Sequence, residues 1–315
     1  MSRIIVVLGC VSCVEGKKSL EESGLDVDTT IYEHNSGNTA CKDVEGNENS
    51  AFHHDLEAWT STDGTNFQPL YTFQICADVP SIAYNGETVV VAFQAWVNRE
   101  EDSQWDKVAV RISEDGGDTW GAVQFLTFDN LPEGAGRPFD PTMTYDSSQE
   151  KWRLYFSMGM TGNQLSDNVC THSAISEDGI HFLYEENARF CAEEAPVIDP
   201  AVILYDGSWF YSAPKGAPQD GAHFLTSSDG LVFEPKPPIP SDIHHNWTGN
   251  FTQSEAGFRF YGGGSNPEND FLWWKETIDK GDSWSEYLYT NVPTGKDPGI
   301  GQSIDGTWLL IVPNK

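Results

Sequence analysis

Three aspartates each stand immediately before a proline, as Asp140-Pro141, Asp199-Pro200 and Asp297-Pro298. An apolar stretch follows each pair, then a tight turn and a second apolar stretch: Lys151 to Ser157, Ser208 to Ser212 and Trp308 to Val312. Weaker copies of the unit begin at Val79-Pro80, after Asp78, and at Asn250. Carboxylates brought to one narrow mouth repel one another, and that raises the pKa of at least one. Such a set suits acid/base work on a glycosidic bond, in which a carboxylic acid protonates the leaving oxygen while a carboxylate activates water. An aspartate before proline can equally cap a loop by accepting hydrogen bonds from backbone amides. A further carboxylate, Glu194, lies five residues before Asp199.

The elements that would position these groups are legible as a repeat. Each Asp-Pro unit reads as two short strands joined by a tight turn. Between the units a second motif recurs, beginning at Ser61, Ser113, Ser176, Ser227 and Thr277, with an aspartate two residues on, then glycine, and closing on Phe67, Trp120, Phe182, Phe233 and Trp284. Ser/Thr and Asp side chains fold onto nearby amides, glycine supplies a positive φ, and the aromatic packs under the turn, which makes this a hairpin signature. Successive starts are 52, 63, 51 and 50 residues apart, the blade period of a β-propeller. The chain opens with an outer hairpin, about residues 51 to 73, and closes with an inner one, about 297 to 313. One blade is therefore expected to be shared between the chain ends, with complete blades at roughly 77 to 128, 137 to 190, 196 to 236 and 243 to 292. The expectation is an all-β, five-bladed propeller over 46–315, without helices longer than a turn or two. Its inner strands would place Asp140, Asp199 and Asp297, with Asn250 and Val79, around one mouth of the central channel.

Composition narrows the partners. With 18 Lys+Arg against 48 Asp+Glu the net charge is −30, which repels phosphate backbones and excludes nucleic acid as an expected partner. With hydrophobic residues at 38% and aromatic ones at 12%, the chain has the makings of a packed protein rather than an acidic tail. At the start, a short apolar run behind Arg3 leads to Gly9-Cys10, similar to a bacterial lipobox. Residues 1–13 thus read as a signal or lipobox-like segment, with Cys10 as a lipid anchor, and 14–45 as a flexible leader. The remaining cysteines suggest two local bridges, Cys41 to Cys76 and Cys170 to Cys191, and a secreted or cell-envelope protein. It is expected to be a monomer.

The Ser113 and Thr277 turns match the Asp-box of sialidases. The Asp-Pro inner strands resemble those of five-bladed glycosidases, chiefly glycoside hydrolase family 43. That resemblance implies a general base at Asp297, a modulator of pKa and orientation at Asp140, and a general-acid glutamate at the position held here by Asp199, with Glu194 the nearby alternative. It also implies, in some members, a structural Ca2+ in the channel near a histidine, for which His245 is the candidate; no other cofactor is expected. Arg137, beside a channel mouth, is expected to pair with a channel carboxylate. Trp247, Trp96 and Trp105 are candidates to stack on a sugar, and Asn250 to bind one. A sialidase would hold its substrate carboxylate with three arginines, whereas only seven arginines occur in the chain and Arg137 alone is suitably placed. The expected ligand is therefore a neutral saccharide, either cleaved by the carboxylate pair or bound by a non-catalytic, envelope-anchored propeller.

Overall fold

The computed structural model describes residues 51–96, 106–161, 169–193, 195–266, 268–293 and 297–314. The proposed signal segment, leader and lipid anchor fall outside them, as do Glu194 and Trp105. The chain enters with β1 (Asp55–Ser61) and β2 (Gln68–Gln74), then builds a four-stranded sheet from β3 (Ala77–Asn85), β4 (Thr88–Ala95), β5 (Lys107–Ser113) and β6 (Gln124–Phe125). A third sheet holds β7 (Thr127–Asp129), β8 (Phe139–Asp146), β9 (Lys151–Gly159), β10 (Val169–Ser176) and β11 (His181–Phe190). The fourth contains β12 (Ala201–Tyr205), β13 (Ser208–Pro214), β14 (Ala222–Ser227) and β15 (Glu234–Pro235), and the fifth β16 (His245–Gln253), β17 (Phe258–Gly264), β18 (Phe271–Thr277) and β19 (Leu288–Pro293). Finally β20 (Gly299–Gln302) and β21 (Trp308–Asn314) return to the first sheet, giving the order β2-β1-β21-β20.

These five sheets are the blades of a propeller whose inner strands β3, β8, β12, β16 and β20 meet in turn and close a ring. The shared blade is zipped by β1 against β21, from Asp55 opposite Asn314 to Ser61 opposite Trp308. Closure leaves no inner sheet edge to pair with another chain. One boundary differs from the sequence expectation. Residues 127–129 do not end the second blade; β7 adds to the third, parallel to β11, with His181 opposite Thr127. Its Phe128 fills the space beside Phe156 and Phe182, which explains the displaced strand by burial of an aromatic ring.

The second strands carry the core. In β4 and β9, Val89 to Phe93 and Leu154 to Phe156 are 0% exposed, because a second strand has neighbours on both edges and a blade on both faces. The Ser/Thr-x-Asp turns cap the outer strands as read from sequence. At Ser61 the hydroxyl accepts from Gly64 N at 3.0 Å, and Asp63 Oδ1 accepts from Thr65 N and Asn66 N at 2.7 Å each. Equivalent bonds form at Asp115, Asp178, Asp229 and Asp279, and these hold all five carboxyls below their ordinary range.

The turns also lock blade to blade. Arg153 is fully buried in β9; its Nη1 donates to the Asp229 carbonyl at 3.0 Å and it pairs with Asp146 and Glu185, while Tyr155 Oη donates to the Gly230 carbonyl at 2.9 Å. Arg259 and Tyr261 repeat the arrangement on Asp63 and Gly64. Gly230 has φ 73°, and a Cβ there would lie 2.5 Å from Arg153 Nη1, so the latch requires glycine. The bridge between Cys170 and Cys191 is present, and Cys76 is also disulfide-bonded; its expected partner Cys41 lies outside the described residues.

Candidate active site

The mouth at which the inner strands begin is built from an unusual backbone. Val79, Asp140, Asp199 and Asp297 all take left-handed φ, at 52°, 50°, 51° and 49°, and each precedes a proline. Steric clash with a following proline favours extended conformations, and a left-handed β-branched residue is a marked outlier. Each such residue costs on the order of 1–3 kcal/mol and persists only where its surroundings impose it. Proline has no N–H for the ladder, so pairing skips a residue between Phe139 and Thr142 in β8 and between Asp78 and Ser81 in β3. The skip leaves the residue before proline, with its left-handed φ, out of the ladder pairing.

Val79 shows what the turn itself requires. It holds the same conformation without a carboxylate, so the turn does not require one. In its blade the acid stands one residue earlier. Asp78, 2% exposed, binds His54 Nδ1 at 2.8 Å through one oxygen and accepts from Val79 N at 2.8 Å through the other. Sequence reasoning missed Asp78 and His54 as members of this site, because the repeat aligns Val79 with the other aspartates and shifts the acid by one place.

The carboxyls act on one another. Asp140 is pushed up to about 7, first by burial and then by the charge of Asp297; an amide from Asp199 and the hydroxyl of Ser157 oppose the rise. Asp199 lies well above the ordinary carboxylate range, through burial, then repulsion by Asp140 and Asp297, a side-chain hydrogen bond with Asp140 that holds its proton, and a contribution from Asp78. Asp199 N also reaches Asp140 Oδ2 at 3.4 Å. Three separate blades thus bring Asp140, Asp199 and Asp297 into one electrostatic unit. Burial and mutual repulsion thus favour the protonated form of both Asp140 and Asp199.

Other candidates from the sequence lie elsewhere. Arg137, which precedes β8, forms an ion pair with Asp106 just before β5 rather than with a channel carboxylate. Trp247 is 1% exposed within a cluster of Phe260, Trp273 and Trp284, and is core rather than a sugar platform. Trp96 is buried as well. His245 stacks on Tyr287 with ring centroids 3.6 Å apart, while Nδ1 meets Asp242 and Nε2 meets Tyr289. With both nitrogens engaged it has no atom to offer a cation or a sugar. Among the described residues no three His, Cys, Asp or Glu side chains are arranged to hold a metal ion. His245 therefore offers no nitrogen to the Ca2+ that the resemblance implies. Asn250 does reach the ring, but its Nδ2 donates to the carbonyls of Pro80 and Pro298 at 3.1 and 3.3 Å, tying the fifth blade to the shared blade and, beyond it, to the second.

Comparison with known proteins agrees with this architecture. A model of the BNR repeat-like domain matches residues 87–314. No curated protein matches the chain. Among solved structures, an exo-β-1,3-galactanase from Clostridium thermocellum superposes with TM-score 0.55 at 13% identity, over 79% of this chain and 57% of that one. The GH43_1 enzyme from Xanthomonas citri gives 0.53 at 14%, covering 75% and 87%. A structure from the GH130 family of mannoside phosphorylases, described as containing glycoside hydrolases that target β-1,2 mannosidic linkages in Candida mannan, gives 0.54 at 10%, covering 75% and 83%. At these identities the likeness is one of fold, and the chain spans little more than half of the galactanase.

Proposed function

The chain belongs to the BNR repeat-like domain family, and from that premise we propose that it is an exported glycoside hydrolase acting on a neutral sugar at the aspartate mouth. The observation that carries this reading is the coupling of Asp140, Asp199 and Asp297, which raises Asp140 and Asp199 above the ordinary carboxylate range. A general acid needs such a rise to hold its proton until the glycosidic bond breaks. Asp199 would give its proton to the leaving oxygen as the glycosidic bond breaks, while Asp297 takes a proton from the water whose oxygen bonds to the anomeric carbon. Asp140, hydrogen-bonded to Asp199, would tune the acid. Asp199 thereby fills the role for which the family resemblance anticipates a glutamate.

The neutral substrate follows from the cations. Among the described arginines, Arg111, Arg153, Arg189 and Arg259 are committed to backbone carbonyls or ion pairs within the blades, and Arg137 is paired with Asp106. None answers an anionic sugar at the aspartates. The disulfide between Cys170 and Cys191 suits an oxidising compartment and supports export.

A panel of aryl glycosides tests the proposal. We expect turnover of at least one neutral glycoside, lost about 100-fold or more in Asp297→Asn and Asp199→Asn, as removal of a catalytic acid or base predicts. Turnover that survives both substitutions would refute the assignment. Saccharide binding without turnover by the unmodified chain would replace it with a non-catalytic carbohydrate-binding propeller.

A further inference from the structure

The inner strands run from the aspartate mouth to a second mouth on the opposite side, and that side has its own cavity. Midway, Ile82, Met143, Val202, Phe251 and Ile300, one from each inner strand and all at most 7% exposed, form an apolar floor across the channel. Beyond them opens a cavity of about 360 Å³, within the range of small-ligand sites at roughly 300–1,000 Å³. A neighbouring cavity of about 340 Å³ shares Tyr84, Tyr145, Leu204 and Gln253 with it, so the two form one groove running outward from the axis.

The chemistry of this groove differs from that of the rest of the molecule. In a chain of net charge −30, no Asp, Glu, Lys, Arg or His among the described residues lines the axial cavity, although Asp305 lies close enough for its charge to raise Tyr84. The one charged group in the outer part, Asp206, is paired with Lys280 at 2.7 Å. Two amides, Gln253 at the end of β16 and Gln302 at the end of the neighbouring β20, line the axial cavity. Gln253 Nε2 donates to the Leu204 carbonyl and Gln302 Nε2 to the Gly306 carbonyl, at 3.3 and 3.2 Å, which fixes each amide and leaves its oxygen as an acceptor. Tyr84 and Tyr145 supply aromatic surface. Tyr84 is held in place by Gly301, where a Cβ would lie 2.6 Å from the Tyr84 ring and 2.9 Å from Ile82, so only glycine lets the ring lie against β20.

We propose that this mouth is a second ligand site, for a neutral oligosaccharide, separate from the aspartate mouth and independent of whether that mouth catalyses hydrolysis. Fixed amides suit sugar hydroxyls, tyrosine faces suit the apolar face of a pyranose, and a lining with no cation, with Asp305 nearby, disfavours anionic ligands. The elongated double cavity favours several linked sugars over one.

Isothermal titration of the full chain with neutral tri- to hexasaccharides of xylose, arabinose, mannose and galactose tests this, with oligogalacturonate as the anionic control. At least one neutral oligomer should bind and the control should not. Binding should weaken tenfold or more in Gln253→Ala/Gln302→Ala, with aryl-glycoside turnover unchanged, and should persist within twofold in Asp140→Asn/Asp297→Asn. Gly301→Ala, which displaces the Tyr84 ring, should weaken it independently. The proposal is overturned if no neutral oligomer binds, if binding survives both the glutamine pair and Gly301→Ala, or if only the aspartate pair abolishes it. That last result would locate the sugar at the aspartate mouth and leave the hydrolase reading standing, whereas binding at the glutamines without any turnover would do the reverse.

Discussion

Replacing Asp140 with asparagine should stabilise the protein at pH 8 and change it little at pH 4. Asp140 titrates near 3.8 in an unfolded chain and at about 7 in the folded one, raised by burial and by Asp297. The fold therefore favours the protonated acid. Its contribution is fully present below about pH 4 and is lost as pH rises through 7, where the native state must carry a buried charge next to others. A displacement of about three pKa units, at roughly 1.4 kcal/mol each, bounds the loss at about 4 kcal/mol. Relaxation of the site and reionisation of its neighbour reduce what is recovered, so Asp140→Asn is expected to gain about 1–3 kcal/mol at pH 8. The isosteric amide still accepts the bond from Asp199 N, and packing is unchanged. Urea denaturation followed by tryptophan fluorescence at pH 4, 6 and 8 measures the effect. A gain of equal size at all three values, or a loss at pH 8, would refute the idea that the carboxyls strain one another.

Arg153→Ala should destabilise by about 3–5 kcal/mol, since it strands Asp146 and Glu185 in the core and opens the latch onto Asp229; chemical denaturation reads the loss. Gly230→Ala should cost at least about 2 kcal/mol through its positive φ and its contact with Arg153, and a conservative change at Gly86, whose Cβ would meet nothing within 4 Å, provides a control for φ alone. The turn carboxyls at Asp63, Asp115, Asp178, Asp229 and Asp279 are depressed in the fold, so their support is present above about pH 4 and is lost as pH falls further. Together with the channel acids, which weaken the protein as pH rises toward 7, they predict a melting temperature that peaks between about pH 4 and 6 and declines on either side, as calorimetry across that range will show.

The blade count, the shared first blade and the Cys170 to Cys191 bridge were legible because each depends on local, repeated chemistry. A Ser-x-Asp-Gly turn needs its hydroxyl, its carboxylate and its positive φ within a few residues, so its spacing reports the blade directly. The strand at 127–129 was not legible, since Thr127 joins the third blade only because Phe128 finds a gap between two rings far along the chain. Arg137, His245 and Trp247 were misread for the same reason. Each lies near a strand start, but Asp106, Tyr287 and Trp273 claim them, and such partners leave no mark on neighbouring sequence.

Val79 carries the reasoning about the site one step further. Repetition alone explains four equivalent left-handed turns before proline; it does not explain acids at three of them, because a valine endures the same backbone. In the second blade an acid stands one residue earlier, at Asp78, and is bound by His54, whereas the fifth blade carries Asn250 in its inner strand. Asp140 and Asp199, raised in pKa on left-handed backbone, weaken the fold as pH rises. Structural caps behave oppositely: the five turn aspartates are depressed in pKa and contribute stability where the channel acids withdraw it.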